Sequence, residues 1–169
     1  MPDEPCYVAR LDINEGGTEM ATNNEQAIRH LYHVAEAEYE DLKAFVACFT
    51  ADGEFVDMAS GITFRGSDEL WKPVAVMSKA FPDMHREIHH LHVVGDIVIV
   101  ELTLQGTHTG PLTLPIGTIP ASGKTMDAPC CDVFRLINGK VRLFDCYNQS
   151  SVILAQLGVL SNLQGALVP

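Results

Sequence analysis

The sequence predicts one domain of the α+β class, with helices in its first half and an antiparallel sheet in its second half. Between Ile28 and Phe49, apolar residues recur at steps of three and four, which is the period of an amphipathic helix. From His85 onward the period changes to two, which is typical of strands. Gly95-Asp96 and Asn138-Gly139 interrupt this second region, and both dipeptides are strong signals for tight hairpin turns.

The first half of the chain is expected to be mainly helical. Asn23 or Asn24 is a suitable cap for the first helix, since either side chain can accept hydrogen bonds from the N–H groups of a first turn. The apolar stripe that follows predicts one long helix or two in tandem, ending by Gly53. A further helix is expected over residues 67–80, where Pro73 predicts a kink or a late start.

Five strands are expected, the last four in an antiparallel meander. They are placed at 54–62 and at about 85–94, 97–108, 126–137 and 140–149. Residues 109–124 contain three prolines and three glycines, which predict a long loop of the kind that often borders a binding site.

The composition excludes several classes of function. Hydrophobic residues make up 47% of the 169 residues, which is enough for one core. No apolar run approaches the roughly 20 residues needed to cross a bilayer. The net charge is −11, and residues 1–57 alone hold 13 acids and 3 bases. Because an acidic chain repels nucleic-acid phosphates and anionic lipids, neither kind of partner is expected.

The two ends of the chain are expected to lie outside the folded domain. Residues 1–22 mix charges, prolines and glycines without a sustained period, which suggests an extended or mobile arm. The domain should then span 23–160, with a C-terminal tail over 161–169. The first twenty residues show no secretory signal, so a cytoplasmic location is expected, where the five cysteines would remain free thiols.

Several short motifs in the second half resemble those of one family. They are the segments 81–83 (Phe-Pro-Asp), 95–96 (Gly-Asp), 106–110 (Gly-Thr-His-Thr-Gly), 119–124 (Ile-Pro-Ala-Ser-Gly-Lys), 132–135 (Asp-Val-Phe-Arg), 138–141 (Asn-Gly-Lys-Val) and 156–158 (Gln-Leu-Gly). In this order they resemble the signature of SnoaL-like polyketide cyclases, and the likeness runs from about Asn24 to Gly158.

The resemblance implies the nuclear transport factor 2-like (cystatin-like) fold, which ketosteroid isomerase shares. In this fold a strongly curved antiparallel or mixed sheet forms a cone around N-terminal helices, and an apolar pocket lies at its open end. The resemblance also implies a homodimer through the outer face of the sheet, and acid/base chemistry without metal or cofactor. An apolar pocket suits such chemistry because it raises the pKa of an acid toward neutrality.

The last strand departs from the family pattern. The family's usual Glu-His-Trp-Asp stretch corresponds here to Leu143, Phe144, Asp145 and Cys146, so the usual histidine and acid are absent. Because neighbouring residues in a strand point to opposite faces, the simplest register directs Phe144, Cys146 and Asn148 into the pocket and Asp145 outward. A bulge in this strand would restore Asp145 to the pocket.

Asp132 is the strongest candidate for an acid/base residue. The resemblance places it at an inward-pointing position that is Asp or His in the cyclases, and it has the same parity as Cys130 and Phe134. Asp132 either acts directly in catalysis or only orders the pocket through hydrogen bonds. Asp57 lies where the cyclases carry a His/Asp pair, with Met58 in place of the histidine, and it is equally compatible with a solvated strand end.

Histidines at two places in the chain are candidates for proton transfer or metal binding. His108 belongs to the Gly-Thr-His-Thr-Gly motif, and it is either a proton carrier, given an ordinary pKa near 6.5, or a structural part of the turn. His90 and His92 share one face of a strand, as zinc ligands can. No third ligand is identifiable from spacing, so no metal is expected.

Two functions of different classes follow. The first is an enzyme of cyclase, isomerase or dehydratase type for a small ketone-bearing hydrophobic substrate, with Asp132 as general acid/base and Asp57, His108 and Asp145 assisting. The second is a non-catalytic module that binds a hydrophobic small molecule, which Phe144 and Cys146 favour. The residues expected to line the pocket are Tyr32, Met58, Trp71, Phe81, Cys130, Phe134, Phe144, Cys146 and Asn148.

Overall fold

The computed structural model describes residues 15–160, with side chains from Asn23 onward. The predicted arm over 1–22 therefore falls largely outside the described residues, and the predicted tail over 161–169 does so entirely. Residues 15–22 belong to the first helix. The helices are α1 (Glu15–Ala35), α2 (Leu42–Ala47), α3 (Lys72–Ala80) and α4 (Ser150–Gln156). None of them combines the length and the hydropathy that a membrane-crossing helix needs.

The predicted start of α1 at Asn23 or Asn24 is wrong, since the helix begins at Glu15. Asn24 is buried, and its side-chain amide donates to the carbonyl of Gly95 at 3.0 Å. This polar side chain thus fixes the middle of α1 to the turn of a hairpin and does not cap the helix.

The two-helix alternative for the segment before Gly53 is confirmed, because α2 follows α1 after a break. Asp41 caps α2, and its carboxylate accepts hydrogen bonds from the backbone N–H groups of Lys43 and Ala44, both at 3.0 Å. A cap of this type satisfies donors that have no partner in the first helical turn. Farther along, Pro73 lies in the first turn of α3, so the late start is confirmed.

The strands are β1 (Phe49–Asp57), β2 (Ile62–Arg65), β3 (His85–Val94), β4 (Ile97–Thr107), β5 (Leu112–Leu114), β6 (Gly117–Ile119), β7 (Thr125–Ile137) and β8 (Lys140–Asn148). The four long strands of the meander match their predictions closely. The single strand predicted over 54–62 is wrong, because β1 begins earlier and β2 returns antiparallel to it. The predicted loop over 109–124 contains the short hairpin of β5 and β6.

Six strands form one mixed sheet in the order β2-β1-β8-β7-β4-β3. The β1–β8 pairing is parallel, and the other pairings are antiparallel. Register shifts interrupt three of these pairings, and such bulges bend and twist strands. The sheet is curved, and α1 packs against β3 and β4 while α4 packs against β7. The predicted α+β class is therefore confirmed.

The hairpin between β7 and β8 shows how local sequence sets this register. Asn138 and Gly139 both have positive φ values, of 51° and 74°. Two consecutive residues with positive φ are typical of a type I′ turn, whose twist matches that of the strands it joins. The turn sets the first pairs, Ile137–Lys140 and Leu136–Val141, and a bulge at Arg142 then shifts the pairing by one residue, so that Asp132 lies opposite Cys146.

Candidate functional site

A cavity of about 500 Å³ lies against the concave face of the sheet. Its wall is formed by α1, α3, the start of β3, the β5–β6 hairpin and α4, together with inward-facing residues of the central strands. Most of the lining side chains are apolar, among them Leu31, Phe45, Phe55, Phe64, Val74, Met77, Leu104, Leu112, Leu114, Phe144 and Ile153. The few polar groups in the cavity are therefore the candidates for its chemistry.

Asp132 lies in the floor of this cavity and is 3% exposed. In β7 buried and more exposed residues alternate, and Asp132 shares the inward parity of Cys130. The Tyr32 hydroxyl, from α1, donates to one carboxyl oxygen, Oδ2, at 2.7 Å. The Cys130 thiol donates to the other, Oδ1, at 3.2 Å. Both oxygens are thus held by neutral donors in an apolar setting.

Burial raises the pKa of Asp132 above its ordinary value, because the apolar surroundings disfavour the ionised carboxylate. Hydrogen bonds from Tyr32, Cys130 and Cys146 and the positive charge of Arg86 oppose this rise. Burial and the nearby Asp132 also raise the pKa of Tyr32, so its hydroxyl stays protonated and remains a donor. A carboxyl group in this environment can both accept and donate a proton.

A chain of polar side chains connects Asp132 with Asp57 along the cavity floor. The sulfur atoms of Cys130 and Cys146 are 3.8 Å apart. The amide of Asn148 contacts the Cys146 sulfur at 3.8 Å and donates to Asp57 Oδ1 at 2.9 Å. These contacts cross from β7 through β8 to β1, so the two acids belong to one network.

Asp57 has partners that hold its carboxylate at the end of β1. The Ser60 hydroxyl donates to Oδ2 at 2.6 Å, and the backbone N–H of Ala59 donates to Oδ1 at 3.2 Å. Ser150, at the start of α4, donates to the side-chain carbonyl of Asn148. Asp57 is therefore a positioned group of the cavity wall and not a freely solvated strand end.

The cysteine thiols of the cavity are poor nucleophiles. The pKa of Cys146 is raised overall, because burial and the carboxyl of Asp132 outweigh a hydrogen bond with Cys130 that lowers it. The pKa of Cys130 is raised strongly by its hydrogen bond to Cys146 and by burial. The ligand atoms of Cys130, Asp132 and Cys146 lie within 4.8 Å of one another. Hydrogen bonds join these atoms to one another as part of the polar network.

Two of the predicted acid/base residues lie outside the cavity. His108 is fully buried in the core, where its ring packs 5.2 Å from that of Phe81 and its Nδ1 accepts from the Ser122 N–H at 3.3 Å. It anchors the loop before β7, and burial lowers its pKa. Asp145 faces away from the cavity and pairs with Arg135 at 2.9 Å. A bulge at Arg142 sets this orientation, because Val141 before it and Phe144 after it both face inward, which leaves Asp145 on the outer face. The bulge therefore does not restore Asp145 to the pocket.

Four residues expected to line the pocket do not reach it. Met58 and Trp71 are 41% and 39% exposed, because Met58 lies in the turn after β1 and Trp71 immediately precedes α3. Phe81 is buried against His108. Phe134 is buried against the rings of Tyr32 and Phe144 and is not part of the cavity lining. The other predicted lining residues, Tyr32, Cys130, Phe144, Cys146 and Asn148, do line the cavity.

Arg86 is the main cavity residue that sequence reasoning missed. It lies near the start of β3 and contributes the one basic side chain among the described residues of the lining. The alternation of inward and outward residues in β3 could have identified Arg86. Arg86 and Ile88 lie on the same face of the strand, and Ile88 packs against the core.

The comparisons agree with this architecture. Residues 28–144 match the model of a family described as the SnoaL-like domain. No curated protein matches the chain at a significant level.

Three similar structures show how widely the architecture recurs. A candidate SnoaL-like polyketide cyclase from Jannaschia sp. CCS1 is 21% identical, with a TM-score of 0.73 over 82% of this chain and 93% of that one. A hypothetical protein with a ketosteroid isomerase-like fold from Catenulispora acidiphila, in complex with trimethylamine, is 21% identical, with a TM-score of 0.66 over 85% and 98%. An LEH-like epoxide hydrolase from M. tuberculosis is 17% identical, with a TM-score of 0.61 over 87% and 98%. The predicted fold class is thereby confirmed.

Proposed function

Since this chain belongs to the SnoaL-like domain family, we propose that it is a cofactor-free enzyme of cyclase, isomerase or dehydratase type that acts on a small hydrophobic ketone. The observation that carries this proposal is the placement of Asp132, a buried carboxyl group with a raised pKa, in the floor of an apolar cavity. The names of similar structures, which include a candidate polyketide cyclase and an epoxide hydrolase, support an enzymatic role.

The proposed reaction is proton transfer beside a carbonyl group. The Asp132 carboxylate accepts a proton from the carbon next to the substrate carbonyl, and the electron pair of the broken C–H bond forms an enolate. The enolate carbon then attacks a second carbonyl in a cyclisation, or accepts a proton at another position in an isomerisation. Protonated Asp132 returns its proton to the substrate in either case, so no net proton is consumed.

The rest of the polar network positions this group. Tyr32 holds one carboxyl oxygen and fixes the orientation of Asp132. Asn148 and Asp57 supply further hydrogen-bonding groups on the same floor, where they would orient a polar atom of the substrate. The apolar wall excludes water from the enolate.

Isotope exchange tests the proposal without knowledge of the natural substrate. In D2O the enzyme should exchange hydrogen for deuterium beside the carbonyl of 2-tetralone, a bicyclic ketone, as followed by proton NMR. Asp132→Asn should lower the exchange rate by about 100-fold or more, the range typical of a lost general acid/base. Asp127→Asn is the matched control, because Asp127 lies on the same strand and is exposed. An Asp132→Asn variant that exchanges at the wild-type rate would refute the assignment.

A binding module is the second candidate, and it is favoured by Phe144 and Cys146 in place of the family's histidine and acid. Both side chains line the cavity and neither transfers protons at neutral pH. This alternative predicts that the protein binds 2-tetralone without accelerating its exchange. The same experiment therefore distinguishes the two functions.

We also propose that the protein is a homodimer formed through the face of the sheet that points away from the cavity. Cys131, Val133 and Leu143 are half-buried on this face, and Tyr147 is 43% exposed. Apolar side chains in the centre of an uncovered sheet face favour association with a second sheet.

A further inference from the structure

Arg86 is a charged side chain placed in an apolar part of the cavity. Its side chain is 10% exposed. The neighbouring wall consists of Ala35, Met84 and Leu104, which offer little polar surface. A guanidinium group loses hydration in such a place, and it is retained at a cost unless it makes strong polar interactions.

The structure holds the Arg86 side chain in one orientation. Its Nη1 donates to the carbonyl of Ala35, at the end of α1, at 2.6 Å. The backbone N–H of Arg86 donates to the carboxylate of Glu36 at 3.0 Å, which fixes the start of the side chain. The guanidinium group is therefore preorganised, and a ligand would meet it without a large loss of side-chain entropy.

The guanidinium group keeps hydrogen-bonding capacity after these contacts. It has five N–H donors. Within residues 23–160, Nη1 binds the Ala35 carbonyl and Nη2 contacts the weak acceptor Met84 Sδ at 3.8 Å. The other donors have no hydrogen-bond partner in this part of the chain. They are available to a ligand in the cavity.

The positive charge of Arg86 is also incompletely neutralised. Glu36 is the nearest acid, and its Oε1 is 3.7 Å from Nη1, beyond hydrogen-bond distance. The second oxygen of Glu36 contacts His85 at 3.1 Å, so this carboxylate is shared. This charge also acts on Asp132, where it opposes the rise in pKa. The cavity thus has a cationic side chain in addition to its acid/base group.

We propose that Arg86 is a binding subsite for a carboxylate, so that the substrate is a ketone carrying an acidic group, with the ketone directed toward Asp132. The fork of N–H donors in arginine matches the two oxygens of a carboxylate. The apolar wall between the two groups accepts the hydrocarbon part of the same molecule. This inference rests on the proposed function only for the statement that the ligand is a substrate.

A matched pair of ligands tests the subsite by calorimetry, which needs no turnover. The neutral ketone is 2-acetylnaphthalene, and the acidic one is 6-acetyl-2-naphthoate. The wild-type protein should bind the carboxylate about tenfold or more tightly than the neutral ketone, the effect expected of one charge-assisted hydrogen-bonded pair. Arg86→Gln should abolish this preference and leave the affinity for the neutral ketone unchanged. Arg135→Gln, which alters an arginine on the outer face, should preserve the preference.

A second measurement covers the case in which Arg86→Gln fails to fold. In the wild-type protein, the side-chain N–H resonances of ¹⁵N-labelled Arg86 should shift on addition of the carboxylate and should not shift with the neutral ketone. Equal affinities for the two ligands in the wild type, or an unchanged preference in Arg86→Gln, would overturn the subsite. Absence of isotope exchange in 2-tetralone would refute the proposed function alone, because both binding experiments are independent of exchange.

Discussion

At the residue scale, Asp132 combines two opposing influences that suit proton transfer. Burial raises its pKa, and hydrogen bonds from Tyr32 and two thiols oppose that rise. Without these donors an ionised carboxylate in an apolar cavity would be very costly. With these donors in place, the carboxyl group of Asp132 can be either protonated or ionised. The donors are neutral, so they can hold the carboxylate without fixing it in the ionised form.

Removal of the Tyr32 hydroxyl tests this balance. The hydrogen bond from Tyr32 lowers the pKa of Asp132, so Tyr32→Phe should raise that pKa further. Because the general base must be ionised, the acidic limb of the pH profile for isotope exchange should move to higher pH. Tyr39→Phe is the control, since Tyr39 is 54% exposed and should leave the profile unchanged. An acidic limb that stays in place, or moves to lower pH, would show that Tyr32 does not tune Asp132.

At the element scale, short-range sequence signals predicted the meander well. The predicted bounds of β3 are the observed ones, and those of β4, β7 and β8 differ by one residue. Alternation and the turn at Asn138-Gly139 are local properties, and a turn of this type sets the pairing next to it. The inward orientation of Cys146 and Asn148 matches its prediction, but it depends on the bulge at Arg142, which shifts the register by one residue.

Elements that depend on distant partners were not predicted. The helical spacing of apolar residues continues into Phe49, but Phe49 starts β1, which pairs in parallel with the distant β8. The start of α1 lies in a segment without a clear apolar period. The alternation of β3 directs Arg86 inward, but the hydrogen bond from its Nη1 to the Ala35 carbonyl joins distant segments and has no local signature.

At the scale of the whole molecule, the two faces of the sheet have different properties. The concave face and the helices enclose the cavity, whereas the outer face carries ion pairs such as Arg135–Asp145 around a half-buried apolar centre. The net charge of −11 describes the whole chain and does not identify the site. Two acids and one arginine are the charged residues of the described cavity lining, and they are a small part of the charged residues of the chain.

The outer face leads to a prediction about assembly. Sedimentation equilibrium should give twice the monomer mass of 18.5 kDa. Val133→Glu places a charge in the centre of the proposed interface and should convert the protein to monomers, because an unpaired charge is costly to bury. Glu87→Gln, at an exposed edge of the sheet, should leave the dimer intact. A wild-type protein that sediments as a monomer would contradict the proposed dimer.

The most direct test of the central claim, that the cavity makes Asp132 a proton-transfer group, is a carbon-13 NMR titration of its carboxyl group in the wild-type protein. An ordinary aspartate titrates near pH 4, at about 3.9. The buried environment predicts a pKa above that value. A pKa for Asp132 at or below the ordinary value would contradict the account, because the carboxyl group would then be a permanently ionised structural acceptor.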